Sequence, residues 1–590
     1  MKITKYLVVL AIAFCATVSH ANAQASIQFL GGGSSALYVE LGQAAITGAG
    51  GSGTACSWTL GKNSNILARD ARTGTATDEQ GNIWVVWTPG TGTCTLPTGA
   101  FNIWSYMSLD STVGDRCYFE VDSSGTPGCV QVLTVANTVA GANKLCYPSA
   151  TTCTFFKDNP GTLPTAVSGA LNGQHYFVAG TDIRPEDAKF ATYRLLQPCD
   201  AQLNRQPFDQ IVRQVEGLAY GPGPVGTQIK SFYSGALFNV LDFNITGNDP
   251  INTTQPVPAF TVLPVGAQPI VVAVGPNDTT HNGLNLATDI PMYVLANFYD
   301  GALGRANDVT SAAVNWGVTT LVREPLSGTY NVFEFSAINN SQSHFSQDEF
   351  NCNANTGALV SNPMNLLSIA GQPANGSGQQ SFRRRVIGTG EMTAQLQNAS
   401  DTDDRLGYFF WSAGNASGLT NVKYLTVNGV DPLLDSYTLN GTIAGGALPG
   451  SGATGDPGIT KVTFKNLNAG DYPIWSALRL VTRSPFTTAV NNLVTALGNL
   501  NSTNSTAPND FISLANLQVW HSHYSLPAIG VNTVANGTTV NPATPGDLCN
   551  STGALAEAGG DAGGSNIFKV ANHDFCADFS NVTGLVNKTN

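Results

Sequence analysis

The sequence predicts an α/β fold, because short apolar segments typical of strands alternate with helical patterns along its length. The segment Ser26–Leu30 precedes a helical pattern at Ala36–Ile46. In the same way, Pro269–Val274 precedes a helical pattern at Met292–Phe298. Such alternation is typical of mainly parallel sheets with helices on their faces. Hydrophobic residues make up 42% of the chain, enough to fill sizeable cores, and the length predicts roughly two to four domains.

The first residues resemble a secretory signal. Met1–Lys5 is a basic start, Tyr6–Val18 is an apolar core, and Ala21–Ala23 is a small-residue cleavage site. We therefore expect residues 1–23 to be removed and the mature chain to reach the periplasm or the cell exterior. Later apolar runs such as Pro269–Val274 are too short to cross a bilayer, so we expect no membrane insertion of the mature chain.

The charge content is low and acidic. Charged residues are 11% of the chain, against a usual quarter, and the net charge is −12. This balance provides no basic surface for nucleic acid, which we exclude as a partner. An anion site in this chain must therefore be built from local hydrogen-bond donors and a few nearby cations.

Cysteine usage indicates disulfides rather than a metal site. Removal of Cys15 with the signal leaves ten of the eleven cysteines, an even number in an oxidising compartment. No Cys-x-x-Cys clusters of the kind that bind zinc occur in the sequence. Sequence alone cannot fix the pairing, but neighbours that enclose polar loops suggest Cys56 with Cys94, Cys117 with Cys129, Cys146 with Cys153, Cys549 with Cys576, and Cys199 with Cys352.

The segment Arg323–Thr329 joins a fixed positive charge to a Ser-Gly-Thr turn. It follows an apolar run, Val314–Val322, and leads into Tyr330–Phe335, which is able to open a helix. The first N–H groups of a helix have no intrahelical partners, and the dipole there favours anions. This segment is therefore a candidate oxyanion site. The alternative is a surface turn with a solvated arginine, since Ser, Gly and Thr are ordinary turn residues.

Three further segments place donors or a carboxylate at the end of a predicted strand. Gly31–Ala36 connects a strand to a helix through glycines and serines, and Trp104–Arg116 joins an aromatic strand to a Ser-Thr helix start. His175–Asp182 is a strand that ends in a carboxylate, shortly before Pro185. The alternatives are a plain strand-to-helix turn for the first and a simple helix cap for the carboxylate.

These four segments, in this order, resemble the phosphate-binding subunit of bacterial phosphate ABC importers, a family of periplasmic substrate-binding proteins. Further segments that resemble the family are Gln268–Val274, Met292–Arg305, Arg405–Trp411 and Asp471–Ser476. The chain resembles an enlarged, cysteine-rich member. The resemblance implies a type II binding protein of two α/β lobes, with the ligand in the cleft and crossovers near 262–268 and 411–421. Lobe 1 would comprise residues 24–264 and 414–590, and lobe 2 residues 265–413.

The resemblance also implies a set of ligand-binding residues for inorganic phosphate, namely Ser35, Ala36, Ser111, Asp182, Arg323, Ser327, Gly328 and Thr329. Donors and the arginine satisfy the anion's oxygens, while the carboxylate accepts a hydrogen bond from a protonated oxygen. Sulfate carries no such proton near neutral pH, so the carboxylate repels it. The resemblance implies an ABC permease complex as a further partner, and we expect no cofactor and no metal.

The sequence departs from the family pattern at three positions. Ser35-Ala36 replaces a Thr-Phe pair, and Asp110 replaces a glycine before the serine of the second loop. An Asp110 that faces the ligand weakens anion binding unless Arg116 offsets its charge. Pro325 stands where the family has an acidic residue that orients the arginine, which leaves Glu324 as an alternative partner. Arsenate, a phosphonate or a larger phosphate ester therefore remain open as ligands beside phosphate.

Two other functional classes are open. The pair His521 and His523 lies on one face of a predicted strand, as some metal sites require, but no carboxylate cluster accompanies it. No Gly-x-Ser-x-Gly elbow of a serine hydrolase occurs, so we expect no catalysis, with a phosphatase as the less favoured alternative. Long polar segments are expected to be inserts between the strands and helices, at 48–65, 122–164, 370–380, 439–458 and 500–508. These inserts and the disulfides also fit an extracellular structural or adhesive protein that retains the fold without a ligand.

Overall fold

The structure is a computed structural model of the 590-residue chain. It describes residues 24–50, 55–62, 64–72, 78–134, 162–196, 242–277, 283–301, 303–311, 317–338, 347, 366–368, 381–399, 404–435, 446–468, 471–503, 510–513, 519–520 and 586–587. The predicted signal, residues 1–23, lies outside the described residues, as does the His521–His523 pair.

The strands are β1 Gln24–Ser34, β2 Cys56–Leu60, β3 Ile66–Arg69, β4 Asp78–Glu79, β5 Asn82–Trp87, β6 Ala100–Leu109, β7 Val130–Leu133, β8 Val178–Thr181, β9 Thr261–Gly275, β10 Asp289–Ile290, β11 Val318–Arg323, β12 Leu366–Ser368, β13 Phe382–Val386, β14 Asp404–Phe410, β15 Lys423–Val427, β16 Gly446–Ala447, β17 Trp475–Thr482, β18 Ile512–Ser513, β19 Val519–Trp520 and β20 Val586–Asn587. The α-helices are α1 Tyr38–Gly50, α2 Ser111–Phe119, α3 Thr165–Leu171, α4 Pro185–Leu196, α5 Met292–Asp300, α6 Gly328–Phe333, α7 Gly388–Gln397, α8 Ala413–Ala416, α9 Lys465–Asn468 and α10 Thr487–Thr503.

Most of the described strands join in one fifteen-stranded mixed sheet, whose main path runs β12-β13-β11-β14-β9-β17-β8-β1-β6-β5-β2. The predicted α/β class is confirmed. The expectation of mainly parallel sheets is wrong, because β17 pairs antiparallel with β8 and β9, and β5 pairs antiparallel with β2 and β6. The connection from β5 to β6 is short and contains no helix, so it favours an antiparallel pair over a parallel crossover.

Strand β9 is shared by the two halves of this sheet. Its first part, Thr261–Pro269, pairs with β17, and its second part, Ile270–Gly275, pairs with β14. Strand β15 also pairs with the second part, at Val272–Val274. The predicted lobe boundaries at 264 and 413 stay a prediction. Strand β15 bears on the second boundary, because it follows residue 413 and yet pairs with the second part of β9.

Two of the expected disulfides are present, Cys56–Cys94 and Cys117–Cys129. The first ties β2 to the loop between β5 and β6. The second ties α2 to the start of β7, where the Cys129 N–H also donates to the Cys117 carbonyl at 2.7 Å. The other three expected pairs, Cys146–Cys153, Cys549–Cys576 and Cys199–Cys352, lie outside the described residues.

The region 48–65, expected to be a polar insert, contributes a strand to the sheet instead. Strand β2 pairs along its length with β5, and Cys56 and Trp58 are fully buried. The polar insert expected at 122–164 likewise contains β7, which pairs with β3. Among the helices in the described part of the chain, none is long and apolar enough to cross a membrane.

Candidate functional site

The candidate site lies where the ends of three strands meet. β6 and β8 both pair parallel with β1, so their carboxyl ends lie at the same edge of the sheet. β11 runs in the opposite direction in the other half of the sheet, and its carboxyl end faces theirs. Ligands of open α/β folds bind outside the carboxyl ends of strands.

Three predicted site residues from these three strand ends are in direct contact. The Ser111 hydroxyl, at the start of α2, donates a hydrogen bond to Oδ1 of Asp182, which directly follows β8. Gly328, the first residue of α6, packs against both groups, because a Cβ at this position would collide with the Asp182 carboxyl and the Ser111 hydroxyl. A neighbouring contact also joins the halves, since the Thr112 hydroxyl donates to the Leu326 carbonyl.

Asp182 is a buried carboxyl with a strongly altered acidity. The residue is only 1% exposed. Burial raises the pKa of Asp182 from 3.8 to about 6, although the bond from Ser111 and the charges of Arg323 and Arg479 act in the opposite direction. The carboxyl is therefore near its titration point at mildly acidic pH, and it is an acceptor at neutral pH.

The Arg323 guanidinium is buried and paired on one side. Its Nε and Nη2 donate to Glu324 at 2.8 and 2.7 Å, and Nη1 donates to the Thr389 hydroxyl at 3.2 Å. Glu324 is therefore the acidic residue that orients Arg323, the alternative partner named in the sequence analysis. A bidentate pair fixes the guanidinium plane.

Asp110 lies beside this ion pair, with its Oδ1 3.9 Å from Nη2 of Arg323. Burial, followed by the charge of Glu324, raises the pKa of Asp110 well above its ordinary value, and the two carboxyl groups share a hydrogen bond. Burial also acts to raise the pKa of Glu324, but the pairing with Arg323 outweighs it and lowers that pKa. These opposite shifts favour the proton on Asp110 over Glu324.

Arg116, which the sequence left open as an offset to the charge of Asp110, has acidic contacts elsewhere. It contacts Asp70 at 3.4 Å and Glu79 at 3.9 Å. Arg72 pairs with the same Asp70 at 2.8 Å in this buried ionic group. The raised pKa of Asp110, together with the neighbouring Arg323, reduces the repulsion that Asp110 would exert on an anion.

The remaining predicted residues occupy two different settings. Ser35 and Ala36 lie, together with Arg323, on the wall of a cavity of about 620 Å³. The Ala36 N–H donates to the Ser34 hydroxyl at 3.2 Å. Ser327 and Thr329 are buried at the start of α6, where the Ser327 hydroxyl accepts from the Tyr330 N–H at 3.4 Å.

The cavity wall also contains residues that sequence analysis did not select, among them Tyr38, Gln268 and Thr389. Gln268 carries a detectable signal, since it is a polar residue next to the apolar run of β9 and yet is fully buried. Tyr38 and Thr389 carry none, because each belongs to an ordinary helical pattern. Within the described residues, no group of three or more His, Cys, Asp or Glu side chains is arranged to hold a metal ion.

Neither a protein-family model nor a curated protein matches the sequence. Among solved structures, the chain is similar to the phosphate binding protein from Stenotrophomonas maltophilia, with 12% identity, a TM-score of 0.26, and coverage of 71% of this chain and 92% of that one. It is also similar to an ABC-type phosphate transport receptor from Vibrio cholerae, with 12% identity, a TM-score of 0.23, and coverage of 40% and 66%. A third is the ancestral soluble variant of the human phosphate binding protein, with 14% identity, a TM-score of 0.24, and coverage of 54% and 90%. Similarity at this level does not identify a ligand for this chain.

Proposed function

We propose that this chain is a secreted or periplasmic binding protein that captures inorganic phosphate in a cleft between two α/β lobes, and that it is not an enzyme. The observation that carries the proposal is the contact among Ser111, Asp182 and Gly328, beside the buried Arg323. These residues come from distant parts of the chain, and their chemistry is complementary to a protonated tetrahedral oxyanion. An ABC permease complex is the partner that this function requires for import.

Each group has a definite role in the proposed complex. The Arg323 guanidinium, oriented by Glu324, supplies the positive charge. The first N–H groups of α6, at Gly328 and Thr329, supply neutral donors. The Ser111 hydroxyl joins them when its one proton turns from Asp182 to the anion. The Asp182 carboxylate accepts a hydrogen bond from the protonated oxygen that phosphate retains near neutral pH, whereas sulfate has no proton to donate and meets an uncompensated negative charge.

Calorimetric titration of ligand-stripped protein with phosphate, sulfate and arsenate tests this function. A dehydrated anion held by several charge-assisted bonds should bind at about 1 µM or tighter, equivalent to roughly −8 kcal/mol. Arg323→Ala should lose at least about 2 kcal/mol of phosphate affinity, because it removes a charge-assisted partner. Arg384→Ala is the matched control, since this arginine is on the next strand and its side chain is 32% exposed.

Three outcomes decide the proposal. Tight phosphate binding that depends on Arg323 and not on Arg384 supports it. Unchanged affinity in Arg323→Ala contradicts the assignment of the cation, provided that circular dichroism shows the variant to be folded. A protein that no oxyanion stabilises against heat would instead be a structural or adhesive protein that retains the fold, and release of phosphate from a model ester would indicate a phosphatase.

A further inference from the structure

The side chain of Asp110 does not cap the helix that it precedes. Asp110 is the N-cap residue of α2, a position where an aspartate ordinarily accepts from the first N–H groups of the helix, yet its carboxyl makes no capping bond. It lies instead beside Arg323, with its Oδ1 3.9 Å from Nη2, and it lines the same cavity. Helix capping therefore does not account for this carboxyl.

Arg323 has hydrogen-bonding capacity left for an anion next to Asp110. A guanidinium has five N–H groups. Within the described residues three of them have partners, since Nε and Nη2 donate to Glu324 and Nη1 donates to Thr389. One hydrogen on each of Nη1 and Nη2 remains to hold the oxygens of an oxyanion. An anion held there has the Asp110 carboxyl as a neighbour.

The contact between Asp110 and Glu324 requires a proton. Both oxygens of Glu324 accept from Arg323, and both lie 3.0 Å from the Gly388 nitrogen, which also donates to them. Asp110 and Glu324 share a further hydrogen bond. Two ionised carboxylates cannot form such a bond, because each is only an acceptor. The donors around Glu324 stabilise its ionised form, so they favour Asp110 as the residue that carries the proton.

This proton sets the charge that an anion meets. With it, the charges of Arg323 and Glu324 cancel, and Asp110 adds none. Without it, Asp110 adds a second negative charge to a group with one cation, 3.9 Å from the nitrogen that would hold the anion. Like charges in a buried setting repel more strongly than in water. The ionised form of Asp110 therefore opposes anion binding at Arg323.

Other charged groups face Asp110 or the cavity. Glu79 acts on Asp110 through its charge and contacts Arg116 at 3.9 Å. Lys62 and Asp510 line the cavity. All of these groups are unchanged in variants of Asp110, so a comparison of such variants with the wild type isolates the effect of the Asp110 proton.

We propose that Asp110 belongs to the phosphate site and acts through the proton that it shares with Glu324, so that phosphate binds tightly only while Asp110 is neutral. This inference rests on the proposed phosphate-binding function, which it deepens by assigning a proton to the site.

The proposal confines selective capture of phosphate to a range of pH. Burial, followed by the charge of Glu324, raises the pKa of Asp110 well above its ordinary value. Phosphate affinity is therefore complete on the acidic side of that raised pKa and is lost as pH rises through it. Asp182, whose pKa burial raises to about 6, must by contrast be ionised to exclude sulfate. The site thus needs one neutral and one ionised carboxyl at the same pH.

Calorimetric titration of the wild type and Asp110→Asn with inorganic phosphate, at several pH values from about 5.5 to about 9.5, tests this inference. The amide is uncharged at every pH and can donate to Glu324 as the protonated carboxyl does. The two affinities should agree within about threefold at the acidic end, and the variant should bind at least about tenfold more tightly at the alkaline end. The ionisation of phosphate and of Asp182 is common to both proteins, so it cancels in the ratio of their affinities.

A second variant and a control complete the design. Asp110→Ser is also uncharged and should show the same trend, and both Asn and Ser are favourable N-cap residues, so both variants should fold. Asp431→Asn, which replaces a buried carboxyl bonded to the Tyr424 hydroxyl at 2.8 Å, should match the wild type throughout. A ratio that does not change with pH in either Asp110 variant would overturn the inference and leave the proposed function intact. Absence of phosphate binding by the wild type at every pH would overturn both.

Discussion

Asp182→Asn should stabilise the ligand-free protein at neutral pH, because the wild-type carboxylate is ionised there at a cost. Burial raises the pKa of Asp182 from 3.8 to about 6. A group whose pKa is higher in the folded state binds its proton more tightly there, so its contribution to stability is complete below pH 3.8 and is lost as pH rises through about 6. At about 1.4 kcal/mol per pH unit, the difference corresponds to about 3 kcal/mol.

Urea unfolding in phosphate-free buffer at several pH values measures this effect. At pH 8 the variant should exceed the wild type in unfolding free energy by up to about 3 kcal/mol, and below pH 4 the two should agree within about 1 kcal/mol. The same variant should lower the phosphate-to-sulfate affinity ratio at least about tenfold, because the amide carries no charge to repel sulfate and can donate to it. The wild type should lose selectivity in the same way as pH falls below about 6.

Asp431→Asn is the matched control for both measurements. Burial also raises the pKa of Asp431 to about 6, but this carboxyl accepts from the Tyr424 hydroxyl and from the Leu433 and Leu434 amides, away from the candidate site. Its substitution should change stability in the same pH window and leave the selectivity ratio unchanged. Our reasoning about Asp182 would be refuted if Asp182→Asn altered neither the pH dependence nor the ratio, as expected of a carboxyl that only caps a helix.

Three further substitutions test other parts of the site and the fold. Glu324→Gln should lower phosphate affinity about tenfold, about 1.4 kcal/mol, because the amide can accept only one of the two hydrogen bonds that orient the Arg323 guanidinium; an unchanged affinity in calorimetry would contradict this. Gly328→Ala should lower the unfolding free energy by about 1–3 kcal/mol through overpacking, whereas Gly498→Ala in α10, where a Cβ meets nothing within 4 Å, should be neutral or stabilising by up to about 1 kcal/mol. Equal urea midpoints for these two variants would show that residue 328 is not crowded. Replacing Cys117 and Cys129 together by alanine should cost about 3 kcal/mol, from a sequence separation of 12, and an unchanged midpoint would count against that value.

Local patterns predicted the elements whose apolar faces are evident in the chain. The strand before Ser35, the second part of β9, the helix α5 and the strand β14 all coincide with apolar runs of the right length. The sequence predicts that Tyr330–Phe335 opens a helix, and α6 begins two residues earlier, at Gly328. At these places, propensity and burial favour the same structure.

Long-range pairing explains what sequence analysis missed. β2 was read as part of a polar insert because its neighbours are glycine, serine and threonine, yet packing against β5 buries Trp58 completely. Sequence analysis also did not identify Arg323 as the cation beside Asp110, because it considered Arg116, which is close in sequence and contacts Asp70. The Arg323–Glu324 pair next to Asp110 depends on a contact between residues more than 200 positions apart in the sequence. The hydrophobic periodicity of a short segment cannot predict a contact between residues so far apart in the sequence.

The two halves of the sheet are not independent units, because both contain part of strand β9. Its residues before Ile270 complete the hydrogen-bonding of β17, and those from Ile270 onward complete that of β14 and β15. At the junction, Pro269 has no N–H to donate, while its carbonyl accepts from the Trp411 N–H at 3.0 Å. If the chain were severed here, each fragment would carry an open edge of unpaired N–H and C=O groups, the kind of edge that recruits other chains into aggregates. Neither half is therefore a self-sufficient module that can be expressed, swapped or fused without the other.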